Sequence, residues 1–320
     1  WPPLQGAFET LPFATPVGGL YPVFAAAAGA TFEAWERFVK IHDAAKAKLE
    51  LPAETLEGVY ASLCHTLVQV TSYTYAPPGI NWSNRGSEFW TAEKRDLFAI
   101  FRRDARELLR KVTRRNGEAS QVDFIVAACK SVLEALRLPP HAEAYVLNGG
   151  SRPSIELSAE GGGGVPPFPF AQQEHRNEDE VAAACHAVTA SVIFADEAAM
   201  WRSEALLHAL TSVTSRAGAL RSRADALAGV GSVIRALSLY AHTEYLHVAI
   251  LCMVTVLVGA VAPQLVAIAD VATLDACLDL IERSLDYPEQ ERNEDSEMWP
   301  MRTKRDATEH AGAVALLKTA

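Results

Sequence analysis

The sequence predicts an all-α fold, a solenoid in which antiparallel helix pairs stack into a superhelical array. About one residue in six is Ala, the residue with the highest helix propensity. Apolar residues recur at helical spacing through most of the chain, whereas long strand-like runs of Val, Ile and Thr are scarce. With 49% hydrophobic and 21% charged residues, the 320-residue chain has the composition of a folded protein with a sizeable core.

Each predicted helix carries one apolar face. In the second helix, for example, Tyr60, Leu63 and Leu67 are three and four residues apart, which places them on one side. Thr31 and Thr91 are expected to cap the helices that they precede. The pattern predicts helices over 31–49, 53–75, 91–116, 118–137, 177–195, 197–216, 220–240, 243–260, 264–285 and 306–318.

The spacing of the helix starts favours a repeat architecture. From 31 to 53, and from 177 through about 199, 221 and 243, successive starts are about 22 residues apart. Two helices then occupy about 44 residues, within the range of about 40–47 typical of HEAT repeats. Such short, one-sided helices bury their apolar faces only by stacking on one another, so the sequence predicts a HEAT-repeat α-solenoid.

Two polar stretches divide the array. Residues 139–176 contain many Gly and Pro residues and are expected to form a mobile insertion without helix. Residues 288–306 are expected to form a charged loop. The predicted organisation is therefore HEAT-like helix pairs over 1–138 and 177–287, separated by the insertion. After the charged loop, a further repeat begins over 307–320 and is truncated, as in a fragment of a longer protein.

Charge and cysteine content restrict the function classes. The net charge of -10 argues against broad, non-specific nucleic-acid binding and suits basic partners. The five cysteines occur singly, without a C-x-x-C pair, and each lies in an apolar helical pattern. This distribution is typical of buried, reduced thiols in a cytosolic or nuclear protein.

One segment, Leu246–Ala262, is apolar enough to require a membrane test. A bilayer span needs about 20 such residues, and this segment has no basic flank. Pro263 and Gln264 are expected to end the helix early. The sequence therefore favours a buried core helix over a membrane span.

No motif for catalysis, metal binding or cofactor binding is recognisable. The run Gly161–Gly164 is not followed by Lys-Ser or Lys-Thr, so it is not a phosphate-binding loop. His242 and His247 are five residues apart, about 140° around a helix, whereas a shared metal needs a spacing of three or four. The adjacent residues Cys64 and His65 point to different faces. The sequence predicts that the chain is not an enzyme and has no cofactor.

Two charged segments are candidate partner contacts. The basic helix from Arg102 to Arg115 includes Arg103, Arg106 and Arg110, which could contact a partner or a phosphate. The alternative is a solvated face, because acidic residues alternate with the arginines at helical spacing. An acidic run could bind a basic cargo or be a solvated loop: Glu289, Glu291, Glu294, Asp295 and Glu297.

Three motifs in series resemble a known family. FEAWERF at Phe32–Phe38 and FWTAEKRDLFAIFRRDARELL at Phe89–Leu109 look like the middle HEAT repeats of karyopherin-β nuclear transport receptors. They are most similar to those of the transportin-SR and importin-thirteen type, and AGAVALLK at Ala311–Lys318 is also family-like. The resemblance implies that the motif residues pack the repeats together: Trp35, Phe89, Trp90, Phe101, Arg102 and Asp104.

The resemblance implies a function in nucleocytoplasmic transport. It implies a receptor fragment that binds protein cargo, releases or retains it according to the small GTPase Ran in its GTP form, and shuttles between nucleus and cytoplasm. Nuclear pore proteins are further expected partners, while direct binding of nucleic acid or membrane is not expected. The alternative is a static HEAT-repeat scaffold that bridges proteins without a GTPase switch.

Overall fold

The computed structural model describes residues 21–41, 53–72, 92–153, 193–214, 224–243, 246–268 and 271–286. This part of the chain is helical apart from turns, a 3₁₀ turn over Pro140–Ala142 and an isolated antiparallel bridge between Leu136 and Phe194. The predicted all-α class is therefore confirmed. The α-helices are α1 (Tyr21–Lys40), α2 (Ala53–Val70), α3 (Ala92–Arg115), α4 (Glu118–Ala135), α5 (Glu143–Asn148), α6 (Glu197–Thr214), α7 (Ala224–Ser238), α8 (Val248–Ile268) and α9 (Val271–Asp286).

The long helices contact one another in two rows. One row runs α1–α3–α6–α8 and the other runs α4–α7–α9, and each helix packs on its neighbours within the row. The rows are joined where α3 meets α4, α4 meets α6, and α8 meets both α7 and α9. Helix α2 packs on α3 and α6. Contacts thus pass from neighbour to neighbour along the array, an arrangement compatible with an α-solenoid.

Several predicted helix starts are confirmed, namely those at residues 53, 118 and 197. The start of α6 shows the local cause, because the Asp196 carboxylate Oδ1 accepts a hydrogen bond of 2.6 Å from the backbone N–H of Ala199. The chain turns from α3 into α4 at Gly117, whose φ of 97° is a conformation that favours glycine.

The first helix begins ten residues earlier than predicted, at Tyr21 and not at residue 31. Four consecutive alanines, Ala25–Ala28, extend the helix towards the N-terminus, so Thr31 lies within it and does not cap it. The side of α1 that faces α3 is fixed by aromatic packing, since the rings of Phe32 and Phe101 stack with their centroids 5.3 Å apart.

The apolar segment forms α8, and its prediction as a buried helix is confirmed for the part that the structure describes. The helix begins later than predicted because the His247 ring Nδ1 accepts a hydrogen bond of 3.2 Å from the Ala249 N–H. It also continues through Pro263, which was predicted to end it. Leu265, just beyond the proline, is fully buried, and burying it offsets the hydrogen bond that proline cannot donate.

Within α8, residues Ala249–Ala267 are long and apolar enough to cross a membrane. Of that window, 67% is buried inside the protein, as in the core helix of a packed array. One such helix is weak evidence for a membrane span, since core helices meet the same length and composition criteria.

The start of the predicted insertion is ordered and helical, contrary to the expectation for 139–176. Residues 143–148 contain neither Gly nor Pro and form α5, which ends at Gly149 with a φ of 64°. Tyr145 and Val146 are buried, and α5 packs against α7. Residues 154–176 lie outside the described part of the chain.

A buried arginine of α7 attaches α5 to the array. Arg235 is only 3% exposed, and its Nε and Nη2 atoms donate to the Val146 carbonyl oxygen at 3.0 and 2.8 Å. The same guanidinium donates to the Leu147 carbonyl oxygen at 3.4 Å and to the Thr273 hydroxyl of α9. One side chain therefore links α5, α7 and α9.

Candidate partner-binding groove

The basic helix predicted from Arg102 to Arg115 lies in α3. Two of its three predicted contact residues, Arg103 and Arg110, form ion pairs with acidic residues of the same helix. Arg103 Nε lies 3.1 Å from Asp104 Oδ1, and Arg110 Nη2 lies 2.5 Å from Glu107 Oε1. Lys111, on the same helix, pairs with Glu36 of α1 at 2.7 Å. These exposed or half-exposed pairs favour the interpretation as a solvated face.

Arg102, in contrast, forms an ion pair inside the protein. Its Nη2 atom lies 2.7 Å from Oε1 and 2.9 Å from Oε2 of Glu204 on α6, and the two side chains are only 6% and 0% exposed. The pair joins two adjacent helices of one row. Asp104, predicted to help pack the repeats together, contacts its neighbour Arg103.

A histidine lies beside this ion pair. Desolvation by the surrounding protein lowers the pKa of His208 well below its usual value, and the positive charges of Arg102 and Arg106 lower it further. The imidazole is therefore neutral at physiological pH and adds no third positive charge next to the arginines. Arg106, the third predicted contact residue on α3, thus lies close enough to His208 to affect its pKa.

The aromatic packing residues lie at the start of the array. Trp35 is half-buried and meets Phe38 edge to face, with ring centroids 5.6 Å apart. Phe38 in turn meets the fully buried Tyr60 of α2 edge to face, with ring centroids 6.2 Å apart. The remaining predicted site residues lie outside the described part of the chain, namely Phe89, Trp90, Glu289, Glu291, Glu294, Asp295 and Glu297.

A groove of about 710 Å³ opens between α2 and α4, which both pack on α3 and α6. Its apolar lining includes Cys64, Val68, Phe124 and Leu206. Many of the lining residues are small and leave the groove unfilled. At Gly58, for example, an added Cβ would meet no atom within 4 Å. A glycine inside a helix costs about 1 kcal/mol relative to alanine, and here it leaves the groove open.

The groove is acidic. Glu57 on α2 and Asp123 on α4 are both exposed at its edge, and no Lys or Arg is among the lining residues that the structure describes. Polar groups are also present, for example Asn116, whose Nδ2 donates to the Ser120 hydroxyl at 2.7 Å. An apolar lining with a negative edge suits a partner that presents apolar and positively charged side chains together.

The cysteine in the groove is poorly suited to nucleophilic chemistry. Burial raises the pKa of Cys64 to about 12, so the thiol stays protonated at neutral pH. The adjacent His65 is exposed, and its Nε2 lies 2.9 Å from Nε2 of Gln69. Burial likewise raises the pKa of Cys129 to about 12. Both thiols thus stay protonated at neutral pH.

The two histidines considered for zinc have different surroundings. His247 is buried and meets Trp201 edge to face, with ring centroids 5.4 Å apart. His242 is exposed in the turn after α7, and its Nε2 lies 3.6 Å from Oδ1 of Asp279 on α9. Their five-residue spacing was predicted to separate them, and each has its own set of contacts.

The sequence pattern did not indicate the groove. A helix period shows which face of each helix is buried, but it does not show how far apart two neighbouring helices stand. The available signal was Gly58 within a strong helical pattern, together with exposed Ala61 and Ala127 on the facing helices.

No protein-family model matches the chain, and no curated protein or solved structure is significantly similar to it. The function is therefore argued from the site.

Proposed function

We propose that this chain is part of an α-solenoid that binds a basic protein and acts as a scaffold. The acidic groove between α2 and α4 carries this proposal, because it combines an apolar lining with Glu57 and Asp123 at its edge. Stacked helix rows are suited to the task, since they present extended surfaces between neighbouring helices.

Charge supports the choice of partner. A net charge of -10 attracts cationic surfaces over a distance of about 8 Å at physiological ionic strength. Binding should therefore weaken as salt rises, with most of the change in the association rate.

The test introduces a photo-crosslinking amino acid at exposed Ser131, which lines the groove. Val126, on the same helix and 39% exposed but not in the lining, is the matched control position. We expect a basic protein, identified by mass spectrometry, to be crosslinked from position 131 and not from position 126. The proposal would be contradicted if the same proteins were crosslinked from both positions, or if only acidic proteins were crosslinked from position 131.

Filling the groove should weaken this binding. In the variant Gly58→Trp the indole enters the open space next to residue 58, and the helix loses its interior glycine, so the fold should be retained. We expect the affinity for the partner purified after crosslinking to fall at least about tenfold, whereas Val126→Trp leaves it unchanged. Titration calorimetry measures the affinities, and circular dichroism checks the fold.

A second candidate function is favoured by the motif series at Phe32–Phe38, Phe89–Leu109 and Ala311–Lys318. These motifs support the proposal that the chain is a section of a karyopherin-β-like nuclear transport receptor. In such a receptor, cargo and Ran-GTP would favour different curvatures of a HEAT solenoid. Reciprocity then requires each ligand to change the affinity of the other by the same factor. The first proposal does not depend on this one.

Cargo affinity with and without Ran-GTP separates the two candidates. For an import receptor we expect Ran-GTP to weaken cargo binding by a factor of about 5–150, and for an export receptor to strengthen it by a similar factor. Ran-GDP is the matched control. A cargo affinity that Ran-GTP leaves unchanged in the full-length protein would exclude the transport receptor and leave the scaffold.

A further inference from the structure

Three side chains that can bind metals meet at the far end of the described array. His242 lies in the turn after α7, and Asp279 and Glu282 lie one helical turn apart on α9. One ligand atom from each, an imidazole nitrogen and two carboxylate oxygens, lies within 4.8 Å of the other two. The cluster thus combines nitrogen and oxygen donors from two elements adjacent in the fold.

The separation of the first two ligands suits a bound ion. His242 Nε2 lies 3.6 Å from Asp279 Oδ1, longer than a normal N–H···O hydrogen bond of about 2.7–3.2 Å. Two ligands at about 2.1 Å from a tetrahedral zinc ion lie about 3.4 Å apart. Small side-chain rotations would therefore bring both atoms into coordination.

The second oxygen of the aspartate is already held. Arg152 donates through Nη1 to Asp279 Oδ2, and its Nη2 donates to the Ser238 carbonyl oxygen at 2.8 Å. The arginine thereby fixes the carboxylate while Oδ1 faces His242. Carboxylates that bind metals through one oxygen are commonly oriented by a hydrogen bond to the other oxygen.

We propose that His242, Asp279 and Glu282 form a binding site for a divalent transition-metal ion of the zinc type. The imidazole favours zinc over magnesium or calcium, which prefer all-oxygen ligands. Water would complete the coordination, since three protein ligands leave a position open. The bound ion would link the turn after α7 to α9 and so connect two neighbours of one row. This inference is independent of the partner that binds the groove.

The test titrates the full chain with Co²⁺, whose visible bands report coordination, and then displaces it with Zn²⁺. We expect saturable binding of one ion, and a loss of affinity of at least about 100-fold in His242→Ala and about tenfold or more in Glu282→Gln. His141→Ala, which removes an exposed histidine elsewhere, is the matched control and should bind as the unchanged chain does.

Co²⁺ binding that survives His242→Ala unchanged would overturn the site, as would the absence of saturable binding in the micromolar range. Melting curves by circular dichroism verify that each variant is folded. If His242→Ala does not fold, Glu282→Gln decides, because Glu282 is exposed and its replacement removes a charge without changing shape.

Discussion

Replacing Arg102 with Met is expected to lower the free energy of unfolding by about 3–5 kcal/mol. The substitution leaves the Glu204 carboxylate, which is 0% exposed, without the guanidinium that lies 2.7 and 2.9 Å from its oxygens. A buried carboxylate that loses its counter-charge bears the full cost of desolvation. Urea denaturation followed by circular dichroism measures the change.

Two further variants distinguish this cause from a general loss of packing. Arg103→Met removes the neighbouring arginine, whose side chain is 50% exposed, and should change the free energy of unfolding by no more than about 1 kcal/mol. The double variant Arg102→Met with Glu204→Met replaces the ion pair by apolar groups and should recover most of the loss. A double variant as unstable as Arg102→Met would show that the cost does not come from the uncompensated charge.

Replacing Arg235 with Met is expected to cost about 3 kcal/mol and to detach α5 from the array. The guanidinium is 3% exposed and donates to the carbonyl oxygens of Val146 and Leu147 and to the Thr273 hydroxyl. Methionine fills much of the same volume but donates no hydrogen bond, so these acceptors, of which the Val146 carbonyl and the Thr273 hydroxyl are buried, lose their charged donor.

Hydrogen exchange measures the effect of Arg235→Met locally. Amides of Glu143–Asn148 should exchange faster, while those of α3 keep their protection. Lys130→Met, which removes an exposed lysine 3.7 Å from Glu134, is the matched control and should leave α5 protected. Unchanged exchange in α5 would mean that the burial of Tyr145 and Val146 holds this helix without the arginine.

Periodicity predicted the helical class and several helix starts, because both depend on local sequence. Apolar residues three and four positions apart identify the buried face of a helix, and caps such as Asp196 mark where a helix begins. Prediction failed where tertiary contacts outweigh a local signal. The helix α8 passes through Pro263 because Leu265 beyond it is buried, and α5 forms in a Gly/Pro-rich stretch because Arg235 and α7 hold it.

The site depended even more on three-dimensional arrangement. Arg102 was recognised in a motif, but its partner Glu204 lies 102 residues further along the chain and no sequence spacing connects them. The same holds for Arg152 and Asp279, which are 127 residues apart. To predict the acidic groove, one would need to know the distance between α2 and α4. The sequence pattern within either helix does not contain that distance.

The bridge between Leu136 and Phe194 affects how this protein can change during evolution. The backbone N–H of Arg137 donates to the Ile193 carbonyl oxygen at 2.7 Å, so two points far apart in the sequence are held together. When the two ends of a segment are held together, each doubling of its length costs only about 0.6 kcal/mol. A change in the length of the chain that joins residues 137 and 193 therefore adds little entropic cost to holding these two points together, and selection on that length is weaker than selection on the buried side chains of Leu136 and Phe194.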